Sequence, residues 1–344
     1  MRMLITGGSG FLGARLARRL LAQGGVALGG AAAQPIRELL LTDLAAPPAE
    51  VLADSRVRFV GGELNALLAS GGLALDGMAA IVHLAAAVSG ECEADLDLGL
   101  RSNLDATLAL LQAARHAGHA PVFVYASSVA VFGGMPGQPL PAVIEDHSLP
   151  TPQSSYGIQK FIGEQLVADF TRRGLVRGRC VRLMTVAVRP GRPNGAASGF
   201  LSGMVREPLA GQRAIVPVAP DTPVALASPG RTVDGLMAAL QTSDAAWGPR
   251  TALNLPALTT TVGEIAAALE RLAGPAATAL LDWQTDERIA AIVGGWPSQI
   301  DAARARKLGL LPDTSADALL RAYTNEHAEA VQLPLAPRMQ ETLA

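Results

Sequence analysis

"RMLITGGSGFLGARLARRLLAQ", residues 2–23, decides the fold. Residues 2–6 are a short apolar run with the look of a buried strand, and residues 11–23 repeat apolar side chains at helical spacing with arginines on the other face. Gly7 and Gly10 stand between them, and Gly13 in the first turn of the helical run. Gly7 suits the tight turn out of the strand, and Gly10 lets backbone approach a ligand with no Cβ in the way. Gly13 lets the helix lie close on the sheet. Phe11 and Leu12 open that helix, whose free N–H groups and dipole favour an anion at its start. Glycine alone is a weak signal in a chain with 36 of them. Strand, loop and helix in register turn it into the fingerprint of a dinucleotide pyrophosphate site.

Working outward, further apolar runs at 37–43, 57–61, 80–86, 121–127 and 179–185 read as strands. They are continuous rather than alternating, as strands buried on both faces of a parallel sheet should be. Helical patterns at about 95–118 and 154–172 separate the later ones. The fold class expected is therefore α/β, a Rossmann-type doubly wound parallel sheet. Residues 1–186 would form it, with parts of 228–260 returning to it, and 187–344 would form a smaller α/β substrate lobe interleaved with the first. Two loops stand out. Residues 24–35 are a Gly/Ala insertion, and residues 132–152 are long and Pro-rich, a length usually tied to function.

The second strand of the series ends in Asp43. A carboxylate at that point accepts hydrogen bonds from an adenosine ribose and repels a 2′-phosphate. Leu44 and Ala45 follow with no arginine, so NAD is expected over NADP.

"SSYGIQK", residues 154–160, carries the chemistry. The chain has 28 basic residues, of which only Lys160 and Lys307 are lysine, and only three tyrosines. Tyr156 and Lys160 fall four apart on one helix face. An ammonium near a phenol favours the phenolate, and a phenol so tuned is a usable general acid or base. An arginine would serve a mere surface pair equally well. It would not serve a compact cation that must also reach ribose hydroxyls. "YASSVAVFG", 125–133, follows the fifth run, and a hydroxyl there could hold a substrate oxygen beside Tyr156.

Composition excludes other classes. Apolar residues make up 49% and charged residues 17%, which argues against disorder. A net charge of -2 without any block of like charge argues against nucleic acid. No apolar run approaches the ~20 residues needed to span a bilayer. Cys92 and Cys180 lack CxxC partners, so no disulfide framework is expected, and with no leader-like segment after Met1 the expected compartment is the cytoplasm. His116 and His119 read as a solvated helix end, not a metal site.

Together "GGSGFLG", "HLAA" (83–86), "SNLDATLALLQAA" (102–114), "SSVAVFG" and "YGIQK" resemble the extended short-chain dehydrogenase/reductases, the nucleotide-sugar epimerases, dehydratases and their relatives. The resemblance implies a catalytic set of Ser128, Tyr156 and Lys160, with Ser128 and Tyr156 also touching substrate. It implies cofactor contacts from Leu84, Ala85, Ala86 and Asn103, and from Glu63 and Leu64 beside the adenine. "LMTVAVRPGRPNGAASGF", "VREPLAG" and "DAARARKLG" are similar to the D-erythronate dehydrogenase branch. That branch oxidises a four-carbon sugar acid with NAD at the hydroxyl next to its carboxylate. For the carboxylate the candidates are Arg189, Arg192 and Arg231. The alternatives are a nucleotide-sugar epimerase or dehydratase and a non-catalytic NAD-binding regulatory protein. The resemblance also implies a homodimer through the helices at 95–118 and 154–172.

Overall fold

The computed structural model describes residues 1–135, 137–191 and 196–337. Seven strands form one parallel sheet: β1 (Arg2–Thr6), β2 (Glu38–Asp43), β3 (Val57–Gly61), β4 (Met78–His83), β5 (Val122–Ser128), β6 (Arg177–Leu183) and β7 (Leu253–Asn254). Their spatial order is β3-β2-β1-β4-β5-β6-β7, every neighbouring pair parallel. The order reverses between β1 and β4, and in open α/β sheets ligands gather beyond the strand C-termini at that point.

Alternate strand residues serve two cores. Met3, Ile5, Leu39, Leu41, Val82 and Val124 meet Leu16 and Leu20 of helix α1 (Phe11–Gln23) and Leu236 and Leu240 of a helix at Pro229–Gln241. Leu4, Leu40, Ile81 and Phe123 face the other way, onto Leu110 and Leu111 of α2 (Ala106–Ala117) and Phe170 of α3 (Ser155–Arg172). Burial on both sides is why these strands carry apolar residues without a break. A third core, including Val205, Leu209, Ile265, Leu269 and Leu319, joins the helices at Phe200–Leu209, Val262–Ala273 and Ala316–Glu326.

The two long loops are more ordered than their composition suggests. In the insertion, Gly25–Val26 pairs antiparallel with Gln34–Pro35. The small ribbon sits after the C-terminus of α1, so it lengthens the sequence between Gly10 and Asp43 without moving β2. In the Pro-rich loop, Ile144–Glu145 pairs in parallel with Ile300–Asp301, which ties it to the C-terminal part of the chain. No helix among the described residues is long and apolar enough to cross a membrane.

Candidate active site

At the C-terminal ends of β1, β4, β5 and β6 lies a cleft with a cavity volume of about 260 Å³. The glycine loop forms one wall. A Cβ on Gly13 would sit 2.1 Å from the Gly7 carbonyl oxygen, so only glycine lets α1 start there. A Cβ on Gly10 would meet nothing nearer than that same oxygen at 3.3 Å and Asp43 Oδ2 at 4.0 Å. It would project into the open cradle. The Ser9 and Gly10 amides donate to Asp43 Oδ2 at 3.0 and 3.1 Å, which fixes the strand-end carboxylate beside the loop. A bare helix start, a side-chain-free cradle and an acid at the neighbouring strand end fit the pyrophosphate and ribose of NAD.

Leu84 and Ala86 line the cleft floor. Behind them runs a chain of hydrogen bonds. The Ala85 amide donates to Thr6 Oγ1 at 3.3 Å, and Thr6 Oγ1 lies 2.6 Å from His83 Nδ1. His83 Nε2 is 3.0 Å from Thr107 Oγ1, whose own hydrogen goes to the Asn103 carbonyl at 2.6 Å. With that hydrogen committed, His83 Nε2 donates and Nδ1 accepts from Thr6. Burial, aided by the charge on Lys160, lowers His83 from 6.5 to about 3, so the ring is neutral.

Asn103 belongs to this support rather than to the cleft lining. It lies in a π-helical segment at Leu100–Asp105, accepts from the Ala87 amide at 2.8 Å and donates to Gln159 Oε1 at 2.8 Å. The extra residue of a π segment swings one side chain out of helical register. Nothing in the composition of "LRSNLD" signals that.

On the opposite wall, Ser154 caps α3 by accepting from the Gly157 amide at 3.1 Å, which sets Tyr156 in the helix's first turn. A Cβ on Gly157 would lie 2.1 Å from the Ala130 carbonyl oxygen. Glycine after the tyrosine therefore lets α3 press against the turn that follows Ser128. The Ser128 hydroxyl accepts from the Ala130 amide at 3.1 Å and shares the cleft lining with Tyr156, whose ionised form it favours. Lys160 is buried, donates to the Ala126 carbonyl at 2.9 Å, and stands 5.6 Å from the Tyr156 ring centre and 5.1 Å from that of Tyr125. Two of the three tyrosines thus flank the one buried lysine. The i, i+4 spacing in sequence pairs only Tyr156 with it.

The electrostatics differ from the expectation of an ammonium-depressed phenol. Burial dominates and pushes Tyr156 up, while the Ser128 hydroxyl and the charge of Arg189 pull it down. Burial also lowers Lys160 from 10.5 to about 8. In this arrangement the cation that acts on the phenol is Arg189, and Lys160 is a buried group held by a carbonyl.

Arg189 lines the cleft together with Ser128 and Tyr156. Its Nε donates to the Val186 carbonyl at 3.1 Å. Arg231 does not line the cleft; it lies 3.8 Å from Asp234 on its own helix. Arg192 falls outside the described residues. Leu64 and Glu63 are also away from the cleft lining. Glu63 caps the helix Leu64–Ala69 by accepting from the Ala66 amide at 2.9 Å, a role that "GELN" equally well encodes. His119 is engaged with the carbonyls of Ala117 and Met78 at 2.9 and 2.7 Å.

Sequence reasoning missed a buried ion pair on the same helix. Glu164, one turn beyond Lys160, accepts from Arg182 Nε and Nη2 at 2.9 and 2.8 Å and from the Ser127 hydroxyl at 2.5 Å. Arg182 also donates to Asn254 Oδ1 at 3.3 Å and lies over the Phe132 ring. The pair locks α3 to β5, β6 and β7 beneath the wall that carries Tyr156 and Lys160. Neither the apolar runs nor the spacing of charges distinguishes these two residues from the other ionisable side chains.

A phosphate cradle facing a hydroxyl, a phenol and a buried lysine across one cleft defines a dinucleotide-dependent enzyme of the doubly wound class. Residues 3–232 match the NAD dependent epimerase/dehydratase family, and the chain belongs to that family. It is an NAD-dependent oxidoreductase. It is 47% identical over 331 residues to a D-erythronate dehydrogenase of Cupriavidus necator, covering 95% of this chain and 98% of that one. A D-erythronate dehydrogenase of Haemophilus influenzae is 39% identical over 315 residues, covering 92% and 96%. Among solved structures, a nucleoside-diphosphate-sugar epimerase from Agrobacterium tumefaciens superposes with a TM-score of 0.83 at 38% identity, covering 96% of this chain and 95% of that one. The L-threonine 3-dehydrogenase of Trypanosoma brucei, at TM-score 0.80 and 22% identity over 97% and 98%, shares the fold.

Proposed function

We propose that the chain oxidises a 2-hydroxy sugar acid of the D-erythronate type to the 2-keto acid, with Tyr156 as general base. The observation that carries this is the meeting of Ser128, Tyr156 and Arg189 in one cleft with the glycine loop. Relatives named D-erythronate dehydrogenase, matching over nearly their whole length, support the substrate class.

The roles follow from the chemistry of each group. The Arg189 guanidinium offers a planar fork of donors to the substrate carboxylate. Ser128 Oγ holds the 2-hydroxyl oxygen against the Tyr156 oxygen, which takes the hydroxyl proton in its ionised form, the form that Ser128 and Arg189 favour against burial. NAD, when bound, accepts the C2 hydride at its nicotinamide ring. Lys160 would hold the ribose hydroxyls, with Asp43 on the adenosine side. His83 and Asn103 keep the Leu84–Ala87 floor in place. Buried, unpaired Cys92 and Cys180 suit a reducing cytoplasm.

The assembly proposed is a homodimer. Leu96, Leu100 and Leu108 on the run of helix leading into and along α2, and Ile158 and Ile162 on α3, are exposed. Exposed apolar side chains on these adjoining helices would suit a second copy of the chain. Light scattering of the wild type at micromolar concentration should give a dimer, and Ile158→Glu a monomer.

Purified protein with NAD and a panel of four- to six-carbon aldonates tests the activity. NADH formation on D-erythronate is the expected result. Turnover of a sugar nucleotide without net NADH, and none with any aldonate, would favour the epimerase reading instead.

A further inference from the structure

The cleft is not the only cavity at this end of the sheet. A second one is bounded by Gly134, Met135 and Pro139–Ala142 of the Pro-rich loop and by Gly294–Ser298. Trp296 lines both cavities. A third, small void beside Val129 and Thr185 is also lined by Trp296. Trp296 therefore stands where the cleft and the space under the Pro-rich loop meet.

Its placement is firm. The Trp296 amide donates to the Val293 carbonyl at 3.1 Å, at the end of the helix Glu287–Gly294. The Gly134 amide donates to the Gly295 carbonyl at 3.4 Å, and Thr259 Oγ1 donates to the Ser298 carbonyl at 2.7 Å. The turn is thus pinned on both sides of the indole, by the loop and by the second lobe. An aromatic residue in the same cleft lining as Ser128 and Tyr156 is placed to limit how far a substrate can extend once its reacting carbon is in place.

We propose that Trp296 sets the upper limit on substrate chain length, excluding aldonates longer than the one this cleft accommodates by closing it off from the second cavity. The inference rests on the aldonate reading above and deepens it. Replacing the indole with a small side chain joins the two cavities and gives a longer tail somewhere to go. Discrimination by one methylene-sized group in a pocket is worth roughly 10–200-fold in kcat/KM, which sets the scale of the effect.

The test compares wild type, Trp296→Ala and Trp296→Phe on four-, five- and six-carbon aldonates at saturating NAD. For Trp296→Ala, the six- to four-carbon ratio of kcat/KM should rise at least about tenfold, with KM for NAD unchanged. Trp296→Phe should shift it less, in the same direction, and keeps the test open if the alanine variant does not fold. A second readout is intrinsic fluorescence: a four-carbon aldonate with NAD should quench the wild type, and Trp296→Phe should lose most of that quench. An unchanged ratio in variants that still oxidise D-erythronate overturns the role of Trp296 alone. A wild type that turns over no aldonate overturns the substrate reading, and this inference with it.

Discussion

The neutral, fully buried His83 makes stability fall in acid, and the size of the fall can be worked out. Its folded value is about 3 against 6.5 in the unfolded chain. Below 6.5 the unfolded chain binds a proton that the folded one refuses. Stability from this group is therefore complete above 6.5 and is lost as pH falls toward 3. Going from neutral pH to 5 should remove about 2 kcal/mol, at ~1.4 kcal/mol per pH unit below 6.5. That is a large share of a net stability of roughly 5–15 kcal/mol. His83→Gln keeps hydrogen-bonding groups toward Thr6 and Thr107 and cannot titrate. At neutral pH it should be less stable than wild type by about 1–3 kcal/mol, from imperfect hydrogen bonds. At pH 5 that gap should shrink by about 2 kcal/mol. Urea unfolding of both proteins at pH 7.5 and 5.0, with matched m-values, measures it. A gap that stays the same at both pH values would refute a neutral buried imidazole.

Three further outcomes follow from the site. Glu164→Gln leaves Arg182 buried without its anion and should cost about 3–5 kcal/mol, whereas Glu164→Leu with Arg182→Met should cost clearly less; thermal or urea unfolding of the two variants decides. Arg189→Met removes the charge that pulls the Tyr156 phenol down, so the rising limb of the kcat–pH profile should move to higher pH, as well as KM for the acid rising. Asp43→Asn weakens the ribose acceptor and its grip on the Ser9 and Gly10 amides, and should raise Kd for NAD about tenfold while narrowing its advantage over NADP; titration with both cofactors checks it.

The sheet was legible because its strands obey a simple rule. The runs expected at 2–6 and 57–61 coincide with β1 and β3, and the other predicted strands shift by only one to three residues at either end. A strand covered on both faces is mostly apolar, β6 with its buried Arg179 and Arg182 being the exception, and glycine spacing marks the first turn. The helix that carries Tyr156 and Lys160 was legible because lysine and tyrosine are rare here. What escaped depends on contacts between distant segments. Nothing local in "LRSNLD" gives the π segment that aims Asn103 at Ala87. The Glu164–Arg182 pair joins residues 18 apart whose charges resemble any others in the chain. Trp296 acquires its position from the turn after Glu287–Gly294 and the Pro-rich loop, which pair with each other far from either one's sequence neighbours. The phenol's environment was misread for a related reason: proximity to a lysine can be counted in sequence, but burial cannot, and burial outweighs it here.

The most direct test of the account is Tyr156→Phe, assayed with NAD and D-erythronate alongside wild type. Removing the phenol oxygen removes the base and leaves the ring, the helix cap and the glycine loop in place. The account predicts wild-type turnover, a fall in kcat of at least about a hundredfold in the variant, and a Kd for NAD close to wild type. A variant that turns over D-erythronate at near the wild-type rate would contradict it.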